Sequence, residues 1–217
     1  MLKFLQAICR DLCSEWPFAC YSRPAHFVIP HSGFVIYPML TRRFFDRPFL
    51  TVAQDLIGCT LDWGGCGGRI VEVEAYGVEG DDACHTAHRP SSREFVRTQP
   101  PGTAYVYLNY GMYWLLNVLA RDGIILFRAV EPVMGISLMQ QRRGRESLRD
   151  LCSGPGKLGR ALALEKAHHG IDLTRGQFQA RIGGVDIAAG PRIGISKAME
   201  LPWRFADLKS PFLSVRI

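Results

Sequence analysis

The clearest alternation of apolar and polar positions runs through Arg69–Tyr76, Arg-Ile-Val-Glu-Val-Glu-Ala-Tyr. Its β-branched content and period of two predict a strand. Strict alternation puts Val71, Val73 and Ala75 on one face and Ile70, Glu72, Glu74 and Tyr76 on the other. Two carboxylates and a tyrosine in one line are either a polar face, solvated or paired to arginine, or the wall of a site. Upstream, Arg43–Asp46 suggests a helix start, Val52–Ile57 is amphipathic, and Gly58 is a plausible stop. Cys59–Trp63 reads as a strand, and the glycine-rich stretch to Gly68 as a tight turn. Residues 77–100 show no periodicity and read as a long loop. Tyr105–Val118 holds two β-rich runs around Asn109-Tyr110-Gly111, which predicts a hairpin with Tyr110 near its tip. Ile124–Phe127 reads as a buried strand leading into Arg128. Glu131–Arg143 is expected to be a helix entered at Pro132. Residues 151–158 read as a loop into a helix running to about Glu165, and residues 169–217 as loops and strands.

Composition changes this picture little. At 217 residues, 47% hydrophobic and 21% charged, the chain fits one globular domain or one with an appendage. It lacks the run of about 18 apolar residues that would span a membrane. A net charge of +6 fits a nucleic-acid binder without establishing one. Seven cysteines without framework spacing point to free thiols in a reducing compartment. Residues 1–38 stand apart, with Cys9, Cys13, Cys20 and three prolines. They are expected to form a poorly ordered N-terminal extension, with Met39 the natural start of a domain covering 39–217. Leu2, Leu5, Ile8 and Leu12 are near helical spacing, and Arg10, Asp11 and Glu15 interrupt any apolar h-region, which makes a secretory signal a poor match. Cys9 and Cys13 are half of a metal site at most, since no matching pair follows closely.

The candidate chemistry falls in four places. Arg128, next to a buried run, needs a carboxylate such as Glu72, Glu74 or Glu131. Tyr110, difficult to bury at a hairpin tip, is a candidate contact residue. Cys84, His85 and His88 lack a fourth metal ligand, so a hydrogen-bonding His85 is the better reading. Arg142, Arg143, Arg145, Arg149, Lys157 and Arg160 make 142–160 the most basic stretch. It is either a solvated face or a phosphate-contacting one. Leu151–Leu158 opens a helix and so offers free N–H groups to anions, but it is not a Walker loop. No lysine neighbours the Glu74 strand or the hairpin in sequence, which leaves a Schiff-base route without an apparent amine.

From about Leu40 onward the chain resembles the alkyladenine (3-methyladenine) DNA glycosylase family. The resemblance rests on RIVEVEAY at 69–76, His85, GTAYVY at 102–107, YGMY at 110–113, Asn117, FRAVEP at 127–132, LCSGPGKL at 151–158, Pro191–Ile195 and Pro202–Phe205, in that order. It implies a single α+β domain around a curved antiparallel β-sheet, with a protruding hairpin that enters DNA. It also implies a monofunctional enzyme, without metal or cofactor, that flips a damaged purine and hydrolyses its glycosidic bond. Carried over by position, Glu74 matches the general base and Arg128 the residue that helps place the water. Tyr76, His85 and Tyr107 match the pocket for the base, Tyr110 the wedge, and Asn117 a residue that screens bases. Arg142, Arg143 and Lys157 are the expected phosphate contacts. Spacing alone leaves Glu72 and Glu74 equivalent; the resemblance selects Glu74. One stretch departs from the family, Ser91–Thr98, where acidic Glu94 stands in place of asparagine. The implied partner is double-stranded DNA with damaged purines, bound by a monomer in the bacterial cytoplasm at the nucleoid, or in a eukaryotic nucleus. The alternatives are a sugar glycosidase using Glu72 and Glu74 as its carboxylate pair, and a DNA-binding module without activity.

Overall fold

The computed structural model describes residues 38–181 and 184–216. The expectations for residues 1–37, including the cysteine pair, lie outside the described residues. In chain order the elements are helices α1 (Arg42–Phe45) and α2 (Phe49–Leu56), strands β1 (Thr60–Trp63) and β2 (Cys66–Gly77), and helices α3 (His85–His88) and α4 (Pro90–Thr98). Strands β3 (Ala104–Asn109), β4 (Tyr113–Ala120) and β5 (Gly123–Met134) follow, then helices α5 (Ile136–Arg143), α6 (Leu148–Cys152) and α7 (Pro155–Ala161). Short strands β6 (Phe178–Gln179), β7 (Ile187–Gly190) and β8 (Arg204–Asp207) complete the fold. This is an α+β architecture on one open antiparallel sheet of order β3-β4-β5-β2-β1-β6, in which β8 joins β2 and carries β7.

The 12-residue strands β2 and β5 pair along most of their length and form the spine. One edge of β2 is shared: β1 pairs with Cys66–Arg69 and β8 with Glu72–Glu74. The register of β2 on β5 shifts between Ile70 and Val73, and this bulge corrects the strict alternation expected from sequence. Ile70 lies with Val73 and Ala75 in the main core, while Val71 packs with Ala129, Ala206 and Leu213 on the other face. The main core fills one side of the sheet, where Val106, Leu116, Val118, Ile125 and Phe127 meet helical residues such as Leu56, Met139 and Leu158. The second side carries two smaller apolar clusters. One is around Val71 and Ala129, the other around Tyr105, Leu119 and Ile124. Glu72 and Glu74 on β2, and Arg128 on β5, lie between them in sequence along the spine strands. That gap between two apolar plugs is where the polar groups collect.

Three further expectations need correction. Residues 77–100 are not a plain loop, because they contain α3 and α4. Pro90 opens α4 at its first turn, a position that needs no N–H, so it starts a helix instead of breaking one. The expected helix over Glu131–Arg143 begins only at Ile136: β5 runs on through Pro132 to Met134, paired with Gly67 and Gly68. Pro132 is tolerated there because the register is irregular at that point. Helix α7 stops at Ala161, short of Glu165, where Ala163 turns the chain with φ 52°. Gly159 in α7 packs so closely on β4 that an added Cβ would lie 2.0 Å from the Trp114 carbonyl oxygen.

The four cysteines of the described residues are free and buried. Burial pushes the Cys59 thiol up to about 11 and that of Cys152 to about 12, which keeps both unreactive. No helix among the described residues is long and apolar enough to cross a membrane.

Phe127 is fully buried and stacks on Phe178 with ring centroids 5.5 Å apart. Phe127→Ala should lower the unfolding free energy by about 3–5 kcal/mol in urea titrations. A loss under about 1 kcal/mol would mean that the β5 face is not the centre of the core.

Candidate active site

Glu72 and Glu74 are both 0% exposed, so each carboxylate needs partners of its own. Glu72 is saturated. Its Oε1 accepts from Arg128 Nε at 2.9 Å, Ser214 Oγ at 2.7 Å and Arg204 Nη1 at 3.3 Å. Its Oε2 accepts from the Ser214 N–H at 2.6 Å. Glu74 is held differently. Oε1 accepts from the Ile193 N–H at 2.6 Å and lies 3.2 Å from Arg128 Nη1, while Oε2 accepts from the Tyr76 hydroxyl at 2.8 Å. A carboxylate oxygen has two lone pairs, so Oε2 keeps one unused acceptor position. Arg128 thus bridges both glutamates through two different nitrogens.

A cavity of about 520 Å³ opens over this point. Glu74 and Arg128 line it; Glu72 does not. The two glutamates therefore do not face each other across the cavity as a glycosidase carboxylate pair would. Tyr76, Tyr107 and His85 form an aromatic wall, with the His85 ring edge-on to Tyr107 at 4.4 Å. His85 Nδ1 is 3.0 Å from the Tyr105 hydroxyl, which also meets Ser92 Oγ at 2.8 Å. His85 is therefore a hydrogen-bonding residue. Among the described residues no group of three or more His, Cys, Asp or Glu side chains is gathered for a metal. Burial, then the charges of Arg89 and His88, lower the His85 pKa to about 4. Burial and the Glu74 charge push the Tyr76 phenol far up, and burial does the same for Tyr107. All three rings are neutral near pH 7. Asn117 is buried in the wall, its Nδ2 donating to the Tyr105 carbonyl at 2.8 Å.

The far wall is one that sequence reasoning passed over. Ile193, Ile195 and Lys197, in a strap between β7 and β8, line the cavity. The strap is anchored by Arg192, whose guanidinium and the Asp81 carboxylate form a fully buried pair. Arg192 also donates to the carbonyls of Ala75 and Ala198 and lies 4.6 Å from the Tyr76 ring centroid. The contact to Glu74 is a backbone N–H and leaves no residue-type signal, so only the Pro191–Ile195 resemblance hinted at the strap. Lys197, far from the Glu74 strand in sequence, also lines the cavity.

Tyr110 sits where the pattern put it. The β3–β4 hairpin is closed by a Met112 N–H to Asn109 carbonyl bond of 3.0 Å. Tyr110 and Gly111 both take positive φ, 51° and 67°, as in type I′ turns. Tyr110 is 78% exposed and Met112 65%, so the tip presents apolar surface to solvent. Tyr110 also lines the mouth of the cavity. The basic residues are less free than their sequence suggests. Arg142 donates to the Ala161 carbonyl at 2.9 Å, and Arg143 to the carbonyls of Leu151 and Asp150. Lys157 donates to Ser153 Oγ at 3.2 Å and stays partly exposed.

The family model of methylpurine-DNA glycosylase matches residues 43–211, which contain every group named above except Ser214. The chain belongs to the methylpurine-DNA glycosylase family. It is accordingly a DNA glycosylase, a hydrolase of the bond between base and sugar. A Rhodopseudomonas palustris protein (strain BisB18) is 49% identical over 183 residues, covering 82% of this chain and 91% of that one. A Bradyrhizobium diazoefficiens protein is 46% identical over 181 residues, 81% and 90% of the two chains. One from Nitrosospira multiformis is 43% identical over 176 residues, 78% and 91%. Each is named as a candidate 3-methyladenine DNA glycosylase.

The depressed His85 pKa has a measurable consequence. Between about pH 6.5 and 4 the unfolded chain binds a proton that the folded glycosylase does not, so this group makes stability fall as pH drops through that window. NMR titration of the His85 ring should give a midpoint near 4. A midpoint at the ordinary value of about 6.5 would contradict the buried, neutral assignment.

Proposed function

We propose that this glycosylase flips an alkylated or deaminated purine, of the 3-methyladenine or hypoxanthine type, from duplex DNA into the aromatic-walled cavity. A water activated by Glu74 then attacks the sugar C1′. The observation that carries this reading is the Glu74 carboxylate. It is buried beneath the cavity, fixed by Arg128, the Ile193 N–H and the Tyr76 hydroxyl, and keeps one acceptor position free. As C1′ gains positive character, a fixed anion stabilises it and takes the proton from water. Arg128 places that water. Tyr76, His85 and Tyr107 surround the flipped base, neutral rings being suited to stacking. Asn117, with its Nδ2 tied to a carbonyl, screens bases from a set position. The strained, exposed Tyr110 is the wedge that fills the gap in the helix. Arg143, Lys157 and, with its spare donors, Arg142 meet phosphates. The glycosylase acts as a monomer on double-stranded DNA, and residues 39–217 are the domain that does so.

Catalysis and flipping separate by mutation. With a duplex containing one hypoxanthine, Glu74→Gln should keep lesion binding while single-turnover base release drops about 10²-fold or more. Tyr110→Ser should instead weaken lesion binding by at most the few kcal/mol that flipping costs, roughly 1–3 kcal/mol, and less on mismatched substrates. Native base release by Glu74→Gln would remove the catalytic assignment. Loss of binding by both variants alike would remove the division of roles.

The product should be an intact strand with an abasic site. Lys197 is the amine that challenges this, since imine formation with the opened sugar needs only a neutral amine in reach. Borohydride treatment during turnover should trap no covalent adduct. An adduct that disappears in Lys197→Ala would assign a lyase step to that residue.

A further inference from the structure

The C-terminal segment beyond the family match reaches into the centre of this site. We propose that Ser214, together with Glu72, is a positioning residue for Arg128, so that the chain's last few residues set the geometry of the water-activating pair. The proposal rests on Glu74 and Arg128 being that pair. A guanidinium is planar and presents its donors in a fixed fork, so holding two of its nitrogens determines where the third points. Arg128 Nε donates to Glu72 Oε1 at 2.9 Å and Nη2 to Ser214 Oγ at 3.2 Å. That leaves Nη1 at 3.2 Å from Glu74 Oε1, on the cavity side. Ser214 closes the arrangement from behind: its N–H and hydroxyl donate to the two oxygens of Glu72 at 2.6 and 2.7 Å.

Glu72 is itself held in place. It is 0% exposed, and the N–H of Ser214 is the partner of its Oε2. Arg204 adds a donor to Oε1 and also binds the carbonyls of Pro191 and Val215, which ties the cavity strap and the C-terminal segment to the same carboxylate. Leu213 is buried against Val71, Ala129 and Ala206, so Ser214 is delivered by a packed neighbour. The matched family segment ends at residue 211, so Ser214 lies outside it. The sequence signal is correspondingly weak, a lone serine near the end of the chain.

The hydroxyl can be removed while the N–H to Glu72 remains, which makes Ser214→Ala the informative variant. On a hypoxanthine duplex it should lower single-turnover base release about tenfold, the scale of one hydrogen bond to a charged group, with lesion binding and melting temperature little changed. Ser214→Thr, which keeps the hydroxyl, should recover most of that loss. In an Arg128→Gln background Ser214→Ala should have no further effect, because residues acting through one another are non-additive. A native rate for Ser214→Ala overturns the proposal, as does a loss that persists undiminished in the Arg128→Gln background. A loss that merely tracks weaker binding or unfolding also overturns it. Glu74→Gln measured alongside tells the two failures apart. If Glu74→Gln is inactive and Ser214→Ala native, only the positioning role falls; if Glu74→Gln is native, the underlying assignment falls.

Discussion

Burying two carboxylates two residues apart on one strand is the constraint that arranges the centre of this protein. An ionised group loses its hydration on burial and is tolerated only when paired and hydrogen-bonded. Glu72 and Glu74 meet that demand with Arg128 and Arg204, two negative charges against two positive ones. The demand fixes the neighbours of β2. β5 must pair there to supply Arg128, and β8 must pair there to supply Arg204. The C-terminal segment and the strap are recruited by the same need, since two backbone N–H groups and a serine hydroxyl, with the Tyr76 hydroxyl, reach the remaining lone pairs. The outcome is asymmetric. Glu74 lines the cavity and Glu72 does not.

That asymmetry was half legible in the sequence. The alternation of Arg69–Tyr76 announced a strand with an acidic face, and Arg128 announced an arginine in search of a carboxylate. Both were right, yet the choice between Glu72 and Glu74 needed the family resemblance. The bulge at 70–73 explains why pattern alone falls short: it moves Ile70 to the core and Val71 to the polar side. The hairpin was readable because a turn with positive φ at two successive residues limits the residue types it accepts, and Asn109-Tyr110-Gly111 carries the signal. Helices α3 and α4 were not readable. α3 is a single turn, and α4 begins with the proline that reads as a breaker. Pro132 was misread in the opposite direction, because pairing with β2 overrode the local preference. Ser214 and the Ile193 N–H act through position and backbone, so no pattern of residue types could have shown them.

The fold also separates a rigid site from an exposed probe. The carboxylate network is buried on the spine strands, where every partner belongs to a packed element or a tied strap. The hairpin tip carries Tyr110 in the left-handed region, at roughly 1–2 kcal/mol against a non-glycine residue. Leu108, Tyr110, Met112 and Tyr113 leave apolar surface in solvent around it. Such a tip gains nothing in water by itself, whereas insertion into a stacked helix would cover it. On the proposed reading the site is preorganised for chemistry and the hairpin for entry, and Tyr110, which lines the cavity, joins the two.

The most direct test of this division is a structure of the Glu74→Gln glycosylase bound to duplex DNA containing hypoxanthine. The lesion should be flipped between Tyr76 and the opposite cavity wall, with Tyr110 in the vacated stack. An ordered water should lie within about 3.2 Å of both the residue-74 side chain and Arg128, on the side of C1′ away from the base. A flipped base whose C1′ faces neither residue, or a duplex held with the lesion still stacked, would contradict it.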